Sequence, residues 1–581
     1  MVSFQRTHNL GALSQKDIGK DVVLAGWIHR HRDLGSLIFV DLRDRFGITQ
    51  VVFDPKKFPE SHHLGLEDVI SVHGKVKQRD MANPNIPTGQ IEITVESFER
   101  LSEAAVLPFS VSEEDLKVND ETALQYRYLD MRRGTILKNL VLRHKAMMVC
   151  RAFLDKEGFT EVVTPVLAKS TPEGARDYLV PSRLYPGTFY ALPQSPQMFK
   201  QILMIAGLDR YFQMATCFRD EDSRADRQPE FSQIDIEMSF GTYEDLFPIV
   251  EKLVAEIFKS CGGIELKAPF RRMTHADCME LYGCDKPDLR FGMALSRVDD
   301  LAKKTTFSIF QDILAQGGAV KAFTVTGGAD ISRKTIDDLT LFLQNLGGKG
   351  LIWMKKTAEG LTSSILKFIG DTDKQAWIER LTLKDGDLAF IVAGTPKKTN
   401  QLLDHLRRRV ARERKLIPPN SHAPLWVTDF PLFTYNEEEQ KMESEHHPFT
   451  SPHLEDLDLI EKEPLKARSS SYDLVLDGYE LASGSQRIHD GHLQDKIFKI
   501  LGLSEEDRAI KFGFFIEALK YGTPPHLGIA LGFDRIMMLL LGTENLRDVI
   551  AFPKTQKAQD LMTRAPSPVS EAQLKELKIK I

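Results

Sequence analysis

The N-terminal part of the chain alternates short apolar runs with polar turns. Strong turn signals, Arg45-Phe46-Gly47 and Asn83-Pro84-Asn85, separate some of these runs. Short strands with no long helix between them are typical of a small closed barrel, and the OB-fold is the leading candidate. The five predicted strands cover residues 22–28, 37–43, 48–53, 69–77 and 91–98.

Helical spacing follows the predicted barrel. Residues 107–135 combine an acidic run with Arg132-Arg133-Gly134, which indicates a hinge. Apolar residues then recur at near-helical intervals over 136–154, and Gly158 is a suitable C-terminal stop. The next residues, 160–166, predict a strand. This succession indicates a second domain that begins with a helix.

The pattern of the sequence changes again near residue 289. From there to residue 418, glycine-rich turns separate apolar strands and helices, including a buried strand at 388–393 and a charged helix at 401–414. Nothing in this segment resembles a catalytic group of residues, so it is predicted to be an inserted domain. Residues 419–581 return to strands and end in a helical tail.

Composition excludes several classes of protein. The chain is 42% hydrophobic and 27% charged, as in water-soluble globular proteins. No apolar run reaches the ~18 residues of a membrane span, and the first ten residues lack the apolar core of a secretory signal. The five cysteines form no CxxC pair, which favours reduced thiols in the cytoplasm. With a net charge of −6, nucleic-acid binding would need local basic surfaces.

The most informative motif is Phe218-Arg219-Asp220-Glu221, followed by Phe231. In an extended segment, Arg219 and Glu221 project from the same face. A guanidinium suits phosphate, a carboxylate accepts from an exocyclic amine, and an aromatic ring offers a stacking face. These groups indicate a nucleotide site, although a charged hairpin with an incidental aromatic fits the residues equally well.

Three further clusters carry possible chemistry. Residues 194–200 place amides and Lys200 at a strand-to-helix junction, where the lysine could hold a carboxylate. Asp473 and Glu480 flank a tight turn and could hold Mg²⁺, with Arg487 nearby as a carboxylate clamp. Each cluster also has a purely structural interpretation, as a helix N-terminus or as a surface hairpin.

The third cluster, Gly528 to Arg535, combines small residues with an arginine at a helix start. Small residues permit a strand and a helix to approach closely, and a phosphate tail could lie at the helix N-terminus. A simple pairing of Asp534 with Arg535 is the alternative. No GxxxxGK[ST] pattern occurs, which disfavours a P-loop, and the adjacent His446 and His447 lack zinc-ligand spacing.

Taken in order, these clusters resemble the three motifs of the class II aminoacyl-tRNA synthetases. Residues 158–165 look like motif 1, residues 218–237 like motif 2 and residues 528–541 like motif 3. Within the class, the segments at 171–178, 194–200, 446–449 and 484–487 resemble the aspartyl enzymes of the bacterial type. The insertion resembles the GAD domain of those enzymes through Thr326-Gly327-Gly328-Ala329 and residues 347–353.

The resemblance implies a multidomain α+β fold. The expected domains are an OB-fold anticodon-binding barrel at 1–106, a hinge at 107–135, the first part of an antiparallel-sheet catalytic domain at 136–288, a GAD-type α/β insertion at 289–418, and the rest of the catalytic domain with a C-terminal extension at 419–581.

The resemblance also implies a reaction. Aspartate would attack the α-phosphate of ATP to give aspartyl-adenylate and pyrophosphate, and the aspartyl group would pass to tRNA(Asp). The catalytic residues would be Arg219 at the α-phosphate, Glu221 at the adenine amine and Arg535 on the outer face of adenine, opposite Phe231. The full set of implied ATP contacts is Arg219, Asp220, Glu221, Gln228, Phe231, Glu480, Gly532, Phe533, Asp534 and Arg535.

The remaining implied roles concern aspartate, metal and tRNA. Lys200 and Arg487 would bind the side-chain carboxylate, and Asp473 and Glu480 would position Mg²⁺. The implied aspartate contacts are Glu173, Gln197, Lys200, Arg219, Asp235, His446 and Arg487. The implied anticodon contacts are Arg32, Phe39 and Gln50. A cytoplasmic homodimer formed through motif 1, without membrane contact, completes the expectation.

Three alternatives stay open at this point. The enzyme could also charge tRNA(Asn), since Leu34 resembles the strict enzymes whereas residues 81–83 favour neither specificity. An asparaginyl or lysyl enzyme is another alternative, but a lysine pocket would need acidic residues in place of Lys200 and Arg487. A non-catalytic, RNA-binding relative would typically have lost motif residues that this chain retains.

Overall fold

The chain forms two compact units. The structure, a computed structural model, describes residues 5–113, 117–170, 174–222 and 224–580. One unit comprises Met1–His144, Asp222–Arg227 and Asn545–Val569, and the other comprises Lys145–Glu221, Gln228–Glu544 and Ser570–Ile581.

A closed five-stranded barrel forms the N-terminal part of the first unit. Its strands are Asp21–Asp33, Ile38–Asp44, Gly47–Phe53, Val69–Gln78 and Ile91–Ser102. The first strand pairs with the second and fourth, and the third and fifth run parallel to close the barrel. Val22, Leu24 and Ile28 alternate into the interior, as the pattern of the sequence predicts.

The first strand extends five residues beyond its predicted end at residue 28. The extension, His29-Arg30-His31-Arg32-Asp33, is entirely polar, so its pattern gives no strand signal. It is nevertheless paired with Ile38–Asp41 after a bulge between Ile28 and Arg30. The bulge bends the strand locally, and the paired backbone groups hold the polar extension in the sheet.

Short helices and an arginine organise the rest of the first unit. The helices are Asp120–Gln125, Arg127–Arg132 and the start of Thr135–Lys156. Arg127 is 4% exposed, and its guanidinium donates to the carbonyl oxygens of Arg547, Ile550 and Ala551 at 2.5, 2.9 and 3.0 Å. Because one buried side chain satisfies three carbonyls, residues 545–569 are held within this unit.

An eight-stranded sheet is the centre of the second unit. The six central strands are antiparallel, and each edge strand is parallel to its neighbour. In spatial order the strands are Arg271–Thr274, Pro424–Thr428, Ser471–Leu476, Tyr479–Gln486, His526–Gly532, Glu230–Ser239, Arg210–Phe218 and Thr160–Glu161.

Helices and two small hairpins surround this sheet. The hairpins pair Leu179–Pro181 with Phe189–Ala191, and Phe433–Asn436 with Lys441–Ser444. The helices are the end of Thr135–Lys156, then Gln197–Ile205, Tyr243–Gly262, His275–Leu281, Leu459–Lys462, Gly491–Ile500, Glu505–Leu519, Phe533–Leu541 and Glu571–Leu577.

The insertion is a five-stranded antiparallel sheet covered on both faces. Along the central strand Leu388–Gly394, Leu388 and Phe390 enter one core while Ala389 and Ile391 enter the other, which explains its continuous apolar sequence. The strands are Ser296–Arg297, Ala319–Val325, Leu388–Gly394, Ile352–Thr357 and Gly360–Ser363. The helices are Asp299–Ala302, Ser308–Ala315, Arg333–Asn345, Asp371–Arg380 and Pro396–Glu413.

The predicted fold class is confirmed: an OB-fold barrel, a mainly antiparallel catalytic sheet and an inserted α/β domain are all present. The strand predicted at 160–166 is shorter, because only Thr160–Glu161 pairs along the sheet edge before Pro165. None of the helices in the described part of the chain is long and apolar enough to cross a membrane.

Replacing Arg127 with methionine should destabilise the protein by ~3 kcal/mol, because buried carbonyl oxygens and Asp130 lose their charged donor. Chemical denaturation measures the loss. The matched control is Arg45→Met, which removes an exposed arginine stacked over Phe46. Equal, small effects from both substitutions would contradict the anchoring role of Arg127.

Candidate active site

Four ionisable side chains meet at the centre of the catalytic sheet. Lys200 projects from the helix Gln197–Ile205, and Asp235 and Glu237 lie two residues apart on one face of Glu230–Ser239. Arg487 follows the strand Tyr479–Gln486. All four side chains are at most 5% exposed, so this is a desolvated cluster of two cations and two carboxylates.

The contacts within this ionic cluster are direct. Lys200 Nζ donates to Asp235 Oδ1 and lies 3.2 Å from Glu237 Oε2. Arg487 binds Glu237 through two hydrogen bonds, Nε to Oε1 at 2.9 Å and Nη2 to Oε2 at 3.2 Å. Arg487 also donates to Ser485 Oγ at 2.6 Å. Such bidentate, charge-assisted contacts fix the geometry of both cations.

Burial and neighbouring charge act in opposite directions on these carboxyl groups. Burial alone would raise the pKa of Glu237, but the charges of Arg487 and Lys200 hold it at about 2. Burial raises the pKa of Asp235, against the charge of Lys200. Asp235 Oδ2 has no hydrogen-bond partner among the residues that the structure describes. The cluster therefore retains one enclosed acceptor that a ligand could use.

Gly528 is required by the position of Glu237. The two residues pair across neighbouring antiparallel strands. A Cβ at position 528 would lie 1.7 Å from Glu237 Oε2 and 2.4 Å from Ile236 O. The glycine predicted to permit close packing of a strand and a helix therefore permits a close approach between strands.

Two histidines lie beside the ionic cluster. His446 Nε2 is 3.5 Å from Asp473 Oδ1, and this carboxylate raises the pKa of His446 although burial opposes it. Burial and the charges of Arg487 and Lys200 lower the pKa of His447 well below its usual range. Phe449 N–H donates to His447 Nδ1 at 3.1 Å, so the neutral ring carries its proton on Nε2.

The predicted nucleotide residues surround the end of the motif 2 hairpin. The Arg219 guanidinium lies over the Phe231 ring, 5.1 Å from its centroid. Glu221 is partly exposed at the start of the connection, and Gln228 is buried at its end. Asp220 pairs with Arg176 at 3.7 Å. The hairpin thus places Arg219 and Phe231, a predicted phosphate contact and a predicted adenine contact, side by side.

Motif 3 contributes less side-chain surface than the sequence indicates. Phe533 is 0% exposed and belongs to the core, and Asp534 Oδ2 accepts a hydrogen bond from Ser232 N–H at 2.8 Å. These two side chains therefore join motif 3 to motif 2. Gly532 ends the strand. Arg535, unlike Phe533 and Asp534, is partly exposed, and its guanidinium donates to the Glu480 carbonyl oxygen.

Asp473 and Glu480 lie on adjacent strands of one hairpin. Burial and the charge of Asp473 raise the pKa of Glu480, as expected for two carboxylates that repel each other. An oxygen-coordinated divalent cation would relieve this repulsion, so the residues fit the predicted Mg²⁺. Lys286 Nζ lies 3.7 Å from Glu480 Oε2.

Of the other predicted aspartate contacts, Glu173 lies outside the described residues. Gln197 is buried, and its Nε2 has no hydrogen-bond partner within the described ranges. Gln194, just before the helix Gln197–Ile205, donates to Ala175 O at 2.8 Å and accepts from Ala175 N at 3.1 Å. Residues next to Glu173 are thereby attached to the site.

The predicted anticodon residues are neighbours on one face of the barrel. Arg32 pairs across the strands with Phe39, and its Nη2 donates to Gln50 Oε1 at 3.0 Å. Gln50 Nε2 donates to Glu92 Oε2 at 2.8 Å. Leu34, 69% exposed, lies in the loop between the first two strands. Arg32, Phe39, Gln50 and Leu34 thus form or border one surface of the barrel.

The sequence predictions assign no site role to Glu237, which lies in the segment that resembles motif 2, or to His447 and Glu92. The spacing of Asp235 and Glu237 could have revealed the first, because residues two apart share one face of a strand. His447 belongs to the segment 446–449 that resembles the aspartyl enzymes, but apart from the excluded zinc site the sequence predicts no role for its ring. Glu92 alternates with Ile91 and Ile93 of the barrel core, so its opposite orientation was also readable.

Family comparisons agree with this geometry. Residues 119–556 match the family of class II tRNA synthetases (D, K and N), and residues 22–101 match the OB-fold nucleic acid binding domain. The chain therefore belongs to the class II aminoacyl-tRNA synthetases of the aspartyl, lysyl and asparaginyl group.

Individual relatives narrow the similarity further. The chain is 60% identical to the aspartate–tRNA(Asp/Asn) ligase of Protochlamydia amoebophila, over 100% of this chain and 98% of the relative. It is 59% identical to the ligase of the same name from Chlamydia muridarum, over 99% and 100%.

Among solved structures, the asparaginyl-tRNA synthetase of Pyrococcus horikoshii has a similar fold. The TM-score is 0.59 at 19% identity, covering 95% of this chain and 99% of that one. The aspartyl-tRNA synthetase of Entamoeba histolytica gives a TM-score of 0.57 at 19% identity, covering 94% and 91%. At this identity the similarity concerns the fold alone.

Replacing His447 with asparagine should make stability less dependent on pH, since the amide oxygen can still accept from Phe449 N–H. In the unfolded chain His447 gains a proton as the pH falls through about 6.5, whereas the folded ring stays neutral. Acidification therefore favours the unfolded chain and lowers the free energy of unfolding. Between about pH 7.5 and 5.5, the wild-type protein should lose ~1.4 kcal/mol more than the variant.

Denaturant titrations at both pH values measure this difference. His63→Asn, at an exposed position of the barrel unit, is the control. If wild type and His447→Asn lose stability in parallel, the folded His447 ring is not held neutral by its surroundings.

Proposed function

We propose that this aspartate–tRNA ligase charges both tRNA(Asp) and tRNA(Asn). The predicted ligase activity is confirmed by the family and by full-length relatives named for it. Charging of tRNA(Asn) is supported by the names of those relatives, which are called aspartate–tRNA(Asp/Asn) ligases. Leu34 resembles the residue found in enzymes that charge tRNA(Asp) alone, and it therefore argues against charging of tRNA(Asn). An aminoacylation assay with both tRNAs decides between the two specificities. A cytoplasmic location, where charged tRNA is used, is part of the same proposal.

The ionic cluster is the observation that supports aspartate as the amino-acid substrate. Lys200 and Arg487 present two fixed cations to a side-chain carboxylate, and the enclosed Asp235 Oδ2 is an acceptor for the α-amino group. Asparagine lacks the negative charge that such a pair recognises, and its side-chain NH2 group would turn donors toward the two cations where aspartate offers only acceptors. Gln197 Nε2 and His447 Nε2–H add donors, while His446 and Glu173 complete the proposed pocket.

Within this pocket the aspartate α-carboxylate would attack the α-phosphorus of ATP as pyrophosphate leaves. Arg219 would bind the α-phosphate and stabilise the charge that develops there. Phe231 would stack on adenine after Arg219 leaves the face of the ring, with Arg535 on the opposite side and Glu221 at the exocyclic amine. The acyl group would then pass to the terminal adenosine of tRNA.

Asp473 and Glu480 would hold Mg²⁺ with oxygen ligands. When bound, the ion would supply charge neutralisation to the phosphate tail of ATP. The observation that supports this role is the placement of two carboxylates on adjacent strands of one hairpin. His446, which lies against Asp473, would orient that carboxylate.

A homodimer through the motif 1 segment belongs to the same proposal. Val163, Val166 and Leu167 follow the edge strand Thr160–Glu161 and are 80%, 46% and 55% exposed. An apolar run beside a sheet edge is suited to contact with a second copy of the chain.

Replacing Arg219 with alanine should reduce aspartate-dependent ATP–pyrophosphate exchange by a factor of ~10² to 10³, since a charged donor to the transition state is lost. The matched control is Arg183→Ala, an exposed arginine 3.6 Å from Glu576. Retention of exchange by Arg219→Ala would remove this residue from the catalytic role.

Aminoacylation of purified tRNA(Asp) and tRNA(Asn) tests the proposed specificity. The wild-type enzyme should charge both, because the two anticodons differ only at their third base. Gln50→Ala should weaken charging of both tRNAs and leave pyrophosphate exchange unchanged, since Gln50 lies on the barrel. Failure to charge tRNA(Asn) would restrict the enzyme to tRNA(Asp), and loss of exchange would remove Gln50 from the anticodon site.

A further inference from the structure

The segment between the catalytic sheet and the insertion is held rigidly beside the Asp473–Glu480 hairpin. Arg407 is 0% exposed and donates to the carbonyl oxygens of Asp288, Gly292 and Met293 at 3.0, 2.9 and 3.0 Å. Arg408 donates to Lys286 O at 3.1 Å. The helix Pro396–Glu413 therefore fixes the backbone of this segment through its carbonyl groups.

The hairpin turn holds the same segment from another side. Arg290 Nη2 lies 2.7 Å from Asp288 Oδ2, and its Nη1 lies 3.5 Å from Asp477 Oδ2. Gly478, with a φ of +85°, packs so closely that a Cβ there would lie 3.1 Å from Asp288 Cβ. The turn between Asp473 and Glu480 is thus in direct contact with residues that follow Lys286.

The side chain of Lys286 has no comparable structural task. Its Nζ lies 3.7 Å from Glu480 Oε2, beyond hydrogen-bond distance, and the side chain is 41% exposed. An ion pair of this kind contributes little to stability. A fixed backbone thus presents a partly exposed ammonium group to the carboxylate at the proposed phosphate end of the ATP site.

We propose that Lys286 binds the β- and γ-phosphates of ATP, and the pyrophosphate product, after leaving Glu480. This role rests on the proposed function of Asp473 and Glu480 at the phosphate tail. In the ligand-free protein the ammonium group offsets the charge of Glu480. When the carboxylate is engaged by a phosphate-bound cation, Lys286 is released and its positive charge faces the phosphate oxygens.

Calorimetric titration of Lys286→Met with three ligands tests the proposal. Affinity for ATP and for pyrophosphate, each with Mg²⁺, should fall about tenfold, while affinity for AMP should stay within about twofold, because AMP lacks the phosphates concerned. Lys286→Arg should restore most of the loss. Lys356→Met, which removes a 2.6 Å ion pair with Asp385 in the insertion, is the control and should bind all three ligands normally.

Two results would overturn the proposal: unchanged affinity of Lys286→Met for ATP and pyrophosphate, or an equal loss for AMP. Thermal denaturation separates the second result from unfolding, because the variant should melt with the wild type. Failure of the proposed function is a different outcome. It would appear as wild-type protein without aspartate-dependent exchange, or as Glu480→Gln binding ATP with unchanged dependence on Mg²⁺.

Discussion

The mutual neutralisation of Lys200, Arg487, Asp235 and Glu237 is the interaction on which the catalytic domain depends. Charges removed from water are tolerated only when each has a well-placed partner, and here three separate elements supply the partners. Removing one member would leave another charge uncompensated. The register of the central strands is therefore constrained by this cluster, and Gly528 is the residue that makes room for it.

The same neutralisation explains how the pocket can select a small charged ligand. Before a ligand binds, the two cations are satisfied by carboxylates of the protein, so they do not stand as bare charges that would attract any anion. A ligand must match the fixed directions of Lys200 and Arg487 and also use the remaining oxygen of Asp235. Among ligands of suitable shape, one whose carboxylate meets both cations is then favoured over a neutral amide.

Much of the fold could be predicted from periodicity and glycine placement. The barrel strands and the buried strand at 388–393 follow directly from apolar patterning. The end of the first barrel strand could not be predicted, because His29 to Asp33 has no apolar residue and is held by backbone pairing and polar side-chain contacts. In the site, the positions of Lys200 and Arg219 followed from resemblance to known motifs. The burial of Phe533 and Asp534 could not be predicted, because it depends on packing between segments that are distant in the sequence.

The insertion leaves and rejoins the catalytic domain at one place, next to the turn at Asp477 and Gly478. Its last helix, Pro396–Glu413, belongs to that junction as much as to the inserted sheet. Arg407 and Arg408 in this helix donate to the carbonyl oxygens of Asp288 and Lys286, where the chain enters the insertion. The domain is therefore not a removable attachment along the boundaries 289 and 418. Excision along these boundaries would remove Arg407 and Arg408, whose side chains hold the backbone of residues 286–293 beside this turn.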